Sequence, residues 1–149
     1  MKEPPERAKR GEPRAARSEH RRCVVCGDRN PWSLGLRFEP DGDTGVRARV
    51  RADAAMQGYD GVLHGGIICT LLDAAMTHCM LDRGIPAVTG ELRVRFLHPV
   101  PCDELLEVKA RIVRERPPIY RVSAELMAAR RVAARAEATF MRRPPAGAR

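Results

Sequence analysis

The sequence feature that most constrains the fold lies between Gly58 and Leu81, where the chain reads GYDGVLHGGIICTLLDAAMTHCML. After a glycine-rich start, apolar residues recur at intervals of one, three and four, which predicts one buried helix. Gly65 and Gly66 fall in its expected first turn, where backbone N–H groups have no partner within the helix. Because glycine has no side chain, a negative group can come close to these donors and to the positive end of the helix dipole.

Asp73 stands in the middle of this apolar run. Aspartate favours helices poorly, and burying its carboxylate is costly unless another group compensates the charge. The carboxylate either pairs with one of the many arginines or acts as a base or nucleophile near a helix start that can stabilise an oxyanion. The residues alone support these two interpretations about equally.

Alternating segments flank the helix. Residues 33–39 and 44–51 are predicted as short strands joined by an Asp-Gly turn, and four longer alternating runs follow the glycine and proline that end the helix. The predicted fold class is α+β, with an antiparallel sheet wrapped around one long central helix. A single helix covers only part of such a sheet, so a partner subunit is expected to complete the burial. The apolar positions predicted to face inward are Val46, Ala48, Val50, Leu92, Val94, Phe96, Leu106, Val108, Ala110, Ile112, Val122, Ala124, Leu126, Ala128, Ala134, Ala136, Ala138 and Phe140.

The net charge of +8 is concentrated at the two ends of the chain. Residues 1–22 hold eight basic and four acidic side chains, and residues 142–149 hold three arginines, so residues 23–141 are nearly neutral. With only 4% aromatic residues, no folded basic face with stacking side chains is predicted, and nucleic acid is not an expected partner. The expected organisation is a disordered basic tail over 1–22, one domain over 23–141 and a disordered tail over 142–149.

The sequence also predicts where the protein is located and whether its cysteines are oxidised. The first residues have no apolar core for a secretory signal, and no run of about 18 apolar residues occurs, so a cytoplasmic protein with no membrane partner is expected. The five cysteines are an odd number and two of them fall in the buried helix. Reduced thiols are therefore expected in place of a disulfide framework.

Cys23 and Cys26 form a CxxC motif, with His20 three residues before it. Structural zinc normally takes four ligands, and the only other plausible donor in the sequence is Cys102. A structural turn with small buried thiols is therefore favoured over a metal site, and no metal is predicted. His78 and His98 are assigned no role.

The segments LHGGIICTLLDAAM and VTGELRVRFLHPVP, in this order of elements, resemble hot-dog fold acyl-CoA thioesterases, in the group that includes phenylacetate-pathway and 4-hydroxybenzoyl-CoA thioesterases. The opening CVVCGDRNPWSLGLRF resembles a subset of bacterial members. The resemblance covers roughly residues 23–141. It implies hydrolysis of acyl-CoA or acyl-carrier thioesters without a cofactor, by a homodimer or a dimer of dimers.

The resemblance also implies residue roles. The N–H of Gly65 would polarise the thioester carbonyl, Asp73 would be the general base or nucleophile, and Thr89 would orient the attacking water. Many members place Asn or Gln six residues before the His, whereas this chain has Gly58 there and Gln57 one residue earlier. The candidate catalytic set is Asp73, Gly65, Thr89, Gln57 and His64, the last as a helix-entry residue that caps through a ring nitrogen. The candidate substrate-binding residues are Gly66, Gly58, Tyr59 and Met76.

The spacing of Gly65 and Asp73 predicts a site shared between subunits. Eight residues on one helix correspond to ~12 Å along its axis, so one thioester carbon cannot reach both groups. Two helices packed antiparallel about a two-fold axis would bring Gly65 of one chain opposite Asp73 of the other. Two alternatives remain open: a non-catalytic acyl-CoA-binding protein, and an enoyl-CoA hydratase or dehydratase, for which His64 is the only histidine able to serve.

Overall fold

A computed structural model of the protein describes residues 19–144. It contains six strands, a short 3-10 helix at Ala54–Met56 and one long helix. In chain order, the main elements are β1 (Glu39–Asp41), β2 (Gly45–Arg51), α1 (Gly65–Asp82), β3 (Ala87–Phe96), β4 (Leu105–Arg116), β5 (Ile119–Ala128) and β6 (Arg131–Arg142). The predicted α+β architecture is confirmed, because a single helix packs against one sheet.

All neighbouring strands pair antiparallel, in the order β1-β2-β4-β5-β6-β3. The chain leaves β2 near one edge of the sheet, passes through α1 and returns as β3 at the opposite edge. β3 pairs only with β6, so within residues 19–144 its outer edge has no strand partner. Phe96, the last residue of this strand, lies beside Gly65 at the start of α1.

The core forms between α1 and the inward side chains of the sheet. Ala124 of β5 stands in register between Ala110 of β4 and Ala136 of β6, so three small residues lie side by side. Small side chains in this row leave room for the helix to lie close to the sheet. Leu71 and Leu72 of α1 are completely buried, and each contributes about 2 kcal/mol through the apolar surface it removes from water.

Most inward positions predicted from the alternation are buried, but Phe96 is an exception. Its side chain is 53% exposed, because it ends the edge strand β3 and lies beside the start of α1, near Gly65, rather than under the helix. The strand predicted over residues 33–39 is also largely wrong. Only Glu39 belongs to β1, because Leu34 and Leu36 instead donate their N–H groups to the carbonyls of the preceding CxxC segment.

The folded unit begins before residue 23. Cys23 donates its N–H to the carbonyl of His20, Arg29 donates to the carbonyl of Arg21, and the Arg21 guanidinium pairs with Asp28 at 3.4 Å. Residues 19–22, assigned to the tail from the sequence, therefore pack as part of the domain. At the other end, β6 continues to Arg142. The predicted tails over 1–18 and 145–149 lie outside the described residues, and within 19–144 no helix is long and apolar enough to cross a membrane.

Candidate functional site

His64 organises the start of α1. It is the N-cap residue, with extended backbone angles, and its Nδ1 accepts a hydrogen bond of 2.8 Å from the N–H of Gly66. The carbonyl of His64 accepts hydrogen bonds from the N–H groups of Ile67 and Ile68. Across the part of the chain that the structure describes, the N–H of Gly65 has no hydrogen-bond acceptor. Gly65 is therefore the donor left available at the positive end of the helix.

The loop before the helix folds back on His64. Gln57 accepts a hydrogen bond of 3.0 Å from the N–H of Gly61 through its side-chain oxygen, which closes the loop. A Cβ added at Gly58 would lie 3.2 Å from Cδ2 of His64, so a side chain there would crowd the imidazole. Tyr59 is 87% exposed. Gly58, Gln57 and His64 thus form one group at the helix start.

Asp73 and Thr89 form a second group at the middle of α1. The Thr89 hydroxyl, on β3 beside a bulge in the β3–β6 ladder, donates a hydrogen bond of 2.7 Å to Oδ1 of Asp73. Asp73 is half-buried. Among residues 19–144, no lysine, arginine or histidine lies within ion-pair distance of its carboxylate. Within the described part of the chain, the arginine pair considered from the sequence is therefore not found, and Thr89 holds the carboxylate.

A cavity of about 370 Å³ opens beside Asp73. Its surface is mostly apolar, with Thr70 and Thr77 of α1 adding hydroxyls and Leu92 of β3 forming one side. Another wall is formed by the N-terminal segment, residues 20–26, which contributes Cys23 and Val24. This wall was not predicted from the sequence. The only signal for it was the similarity of the CVVCG opening to bacterial relatives, since spacing along the chain does not relate residue 23 to residue 73.

The structure separates the candidate residues into these two groups within one chain. Asp73 and Thr89 are together, and Gly65 lies eight residues away along α1, ~12 Å along the axis. Met76, expected to bind substrate, is completely buried in the core. It lies on the side of α1 that packs against the sheet, so its side chain does not line the Asp73 cavity.

A cluster of metal-ligating side chains borders the same cavity. His20, Cys23 and Cys26 have ligand atoms within 4.8 Å of one another, and Nε2 of His78 lies 3.2 Å from Sγ of Cys26. Burial lowers the pKa of His20. Burial, followed by the charge of Cys23, raises the pKa of the Cys26 thiol to about 12. Sequence spacing identified the first three residues but not His78, which comes 52 residues after Cys26.

Two mouse proteins that are similar to this chain are both named acyl-coenzyme A thioesterases. Acyl-coenzyme A thioesterase 13 of Mus musculus is 28% identical to this chain over 68 residues, which are 44% of this chain and 49% of the relative. Acyl-coenzyme A thioesterase THEM4 of Mus musculus is 30% identical over 57 residues, 38% of this chain and 24% of the relative. The chain thus spans half or less of the length of these relatives.

Solved structures share the fold. The PaaI protein from the phenylacetic acid degradation operon of E. coli superposes with a TM-score of 0.75 at 18% identity, over 87% of this chain and 95% of that protein. A hypothetical thioesterase of Streptococcus pneumoniae, solved with coenzyme A, has a TM-score of 0.68 at 20% identity, over 72% and 87% of the two chains. These likenesses confirm the predicted hot-dog fold. The family model of the thioesterase superfamily matches residues 60–134, which include α1, β3, β4 and β5, and the protein belongs to this superfamily.

Proposed function

We propose that the protein hydrolyses the thioester bond of acyl-CoA or acyl-carrier substrates. The observation that carries this proposal is the hydrogen bond from Thr89 to Asp73 at the edge of an apolar cavity. A carboxylate held by a hydroxyl, with no cationic partner among residues 19–144, can accept a proton or attack a carbonyl. The names of the mouse relatives support acyl-CoA as the substrate class.

In the proposed reaction, Asp73 removes a proton from water as the oxygen attacks the thioester carbonyl carbon. Thr89 occupies Oδ1, so Oδ2 is the oxygen that faces the water. The carbonyl oxygen becomes negative and accepts a hydrogen bond from the N–H of Gly65. Collapse of the intermediate breaks the C–S bond, and the thiolate takes a proton to leave as the free thiol. If Asp73 attacks directly, water then hydrolyses the acyl–enzyme anhydride and restores the carboxylate.

We propose that this reaction takes place between two copies of the chain, because the donor and the carboxylate are too far apart in one. The open edge of β3 offers the contact. If two β3 strands pair antiparallel about a point midway between Thr89 and Phe96, Thr89 of one chain faces Phe96 of its partner. A Cβ at Gly65 would lie 3.6 Å from the Phe96 ring. The partner's helix start would therefore come next to the Asp73–Thr89 pair.

Two other activities are distinguished by the geometry and by experiment. A hydratase requires a histidine paired with an acid, but Nδ1 of His64 already accepts from Gly66, and no carboxylate within residues 19–144 forms an ion pair with this imidazole. This favours hydrolysis. A non-catalytic acyl-CoA-binding protein would keep the cavity and the open Gly65 N–H but would not turn over substrate.

The test is a panel of acyl-CoA thioesters, from short aliphatic to aromatic acyl groups, followed by detection of the released thiol. The matched control is Asp73→Asn, which keeps the shape of the side chain. Saturable turnover by the wild type and its loss in the variant are expected. Binding measured by calorimetry without thiol release would establish the non-catalytic alternative. Consumption of an enoyl-CoA, followed by its absorbance and without thiol release, would establish the hydratase.

A further inference from the structure

The side-chain cluster of His20, Cys23, Cys26 and His78 has the composition of a structural zinc site. Two thiols and two imidazoles are a common ligand set for Zn²⁺ in proteins. Three of these residues come from the N-terminal segment and the fourth comes from α1. Two elements that are distant in the sequence therefore both contribute thiol or imidazole groups, which bind soft and borderline metals.

The CxxC turn is shaped to present both sulfurs together. The N–H of Val25 donates to Sγ of Cys23 at 3.3 Å, and the N–H of Gly27 donates to the carbonyl of Cys23 at 2.9 Å. A Cβ on Gly27 would lie 2.5 Å from the nitrogen of Cys23, so only glycine fits at this position. A backbone donor to a sulfur stabilises the thiolate that a metal requires.

Two distances between ligand atoms are close to the value in a tetrahedral centre. With ordinary Zn–S and Zn–N bond lengths, a sulfur and a nitrogen that share a zinc ion are about 3.6 Å apart. Sγ of Cys26 lies 3.2 Å from Nε2 of His78 and 4.0 Å from Nδ1 of His20. These two separations lie on either side of the tetrahedral value, and the ligand atoms of His20, Cys23 and Cys26 lie within 4.8 Å of one another. His78 is in reach of Cys26, and rotation of its side chain toward Cys23 and His20 would complete the set of four ligands.

The surroundings hold the ligands in place. The His78 imidazole stacks on the Phe38 ring with centroids 4.2 Å apart and planes 19° from parallel. Its position on a rigid helix fixes where the ring nitrogen points. All four side chains are partly buried, which shields a bound ion from competing water.

We propose that His20, Cys23, Cys26 and His78 bind one zinc ion that has a structural role. Four protein ligands leave no open position for water or substrate, so the ion does not take part in thioester hydrolysis. Binding releases the thiol protons and joins the N-terminal segment to α1. Since Cys23 and Cys26 also border the Asp73 cavity, the ion fixes one wall of that cavity.

The experiment uses the full chain without an affinity tag, incubated with zinc and then dialysed. Elemental analysis is expected to find about one zinc ion for each chain. Replacing zinc with Co²⁺ should give the intense ligand-field absorption of a tetrahedral centre together with thiolate-to-cobalt charge-transfer bands. Cys26→Ser and His78→Gln should each lower the zinc content at least ~5-fold after the same dialysis.

Two matched controls separate this site from its alternatives. Cys102→Ser and His98→Gln change the same residue types elsewhere in the fold and should keep the wild-type zinc content. A wild-type chain that retains less than ~0.2 equivalents of zinc overturns the proposal. So does a chain mass about 2 Da low, if peptide mapping assigns the disulfide to Cys23 and Cys26. Loss of zinc in Cys102→Ser but not in His78→Gln would replace the fourth ligand and overturn the assignment of His78.

Folding defects do not obscure the result, because two readouts are independent of them. If Cys26→Ser fails to fold, His78→Gln with Co²⁺ still tests the site. A water that replaces the missing imidazole should weaken binding and shift the cobalt spectrum, and an unchanged spectrum would exclude His78 as a ligand. Thioester turnover is measured in parallel. Zinc binding in a protein without turnover would refute only the proposed hydrolysis, and turnover without zinc would refute only the metal site.

Discussion

The Thr89 hydroxyl on β3 donates a hydrogen bond of 2.7 Å to Oδ1 of Asp73 in the middle of α1. This contact joins the central helix to the edge strand of the sheet. It holds a half-buried carboxylate that has no cationic partner among residues 19–144. It also leaves one carboxylate oxygen directed away from Thr89. The proposed chemistry and the proposed dimer both depend on this pair.

Asp73→Asn is expected to lower kcat by at least ~100-fold while leaving the fold intact, because the amide has nearly the same shape but cannot act as a base or nucleophile. Steady-state thiol release and circular dichroism measure the two quantities. Asp82→Asn, at the last position of the same helix, is the matched control and should stay within a few-fold of wild type. Near wild-type turnover in Asp73→Asn would exclude the proposed role.

Thr89→Val should lower kcat by about 10-fold, because it removes the donor that orients Asp73 while keeping a β-branched side chain in the strand. Thr89→Ser restores the hydroxyl and should recover activity to within about 3-fold of wild type. The informative comparison is between these two variants at saturating substrate. If valine and serine behave alike, the hydroxyl has no functional part and Thr89 is only a strand residue.

Mixed dimers test whether the site is shared. Gly65→Val and Asp73→Asn are each expected to be folded and inactive, since valine would extend toward Phe96 and block the approach to the N–H. Random exchange of subunits makes about half of the dimers mixed, each with one intact site, so activity should return to roughly a quarter of wild type. Mass spectrometry confirms the exchange. No recovery after confirmed exchange would mean that Gly65 and Asp73 do not meet across an interface.

Truncation tests where the domain begins. Removing residues 1–18 should leave turnover within a few-fold and the melting temperature unchanged, because the described unit stays complete. Removing residues 1–22 also deletes the backbone bonds from Cys23 to His20 and from Arg29 to Arg21. Two such bonds correspond to about 2 kcal/mol, or ~6 °C in melting temperature. Both proteins are melted with a chelator present, so that a metal does not contribute. Equal melting temperatures would restore the boundary at residue 23.

Glu107 provides a pH-dependent test of the sheet. The pKa of this carboxyl is lowered, mainly by the hydrogen bond from Lys109. Partial burial raises the pKa in part, and the hydrogen bond from Arg49 lowers it further. A carboxyl whose pKa is lower in the folded state stabilises the protein at pH values above its unfolded pKa of 4.5. This stabilisation is lost as the pH falls through the folded pKa. Glu107→Gln should therefore cost at most about 1 kcal/mol at neutral pH, since the ion pairs lie at the surface.

The cost of Glu107→Gln should decrease between neutral pH and a pH well below 4.5, because the unfolded carboxyl and then the folded one take up a proton. Urea unfolding at the two pH values measures the free energy of unfolding directly. Glu104→Gln removes a neighbouring carboxylate that has no ion pair among residues 19–144. It is the control for loss of a carboxylate and should change the free energy of unfolding at neutral pH by less than ~0.5 kcal/mol. A difference of the same size at both pH values would show that Glu107 acts through packing and not through its charge.

The sequence by itself determined the elements and most of the core. The spacing of apolar residues located α1 and its end, and strict alternation identified the buried positions of β4, β5 and β6, where each strand has a neighbour on both sides. The helix start and its capping by His64 followed from local chemistry, since the N-cap bond joins residues two positions apart. These features could be predicted because burial and capping are set by neighbours along the chain.

Only the tertiary structure decided which side chains meet. The alternation that placed Phe96 inward could not show that β3 is an edge strand, and helical spacing could not show which side of α1 carries Met76 toward the sheet. The hydrogen bond between Asp73 and Thr89 and the approach of His78 to Cys26 depend on the rotation of α1 and on the path of the N-terminal segment across it. Such contacts form because packing brings distant elements together, and the spacing of residues along a chain does not specify that packing.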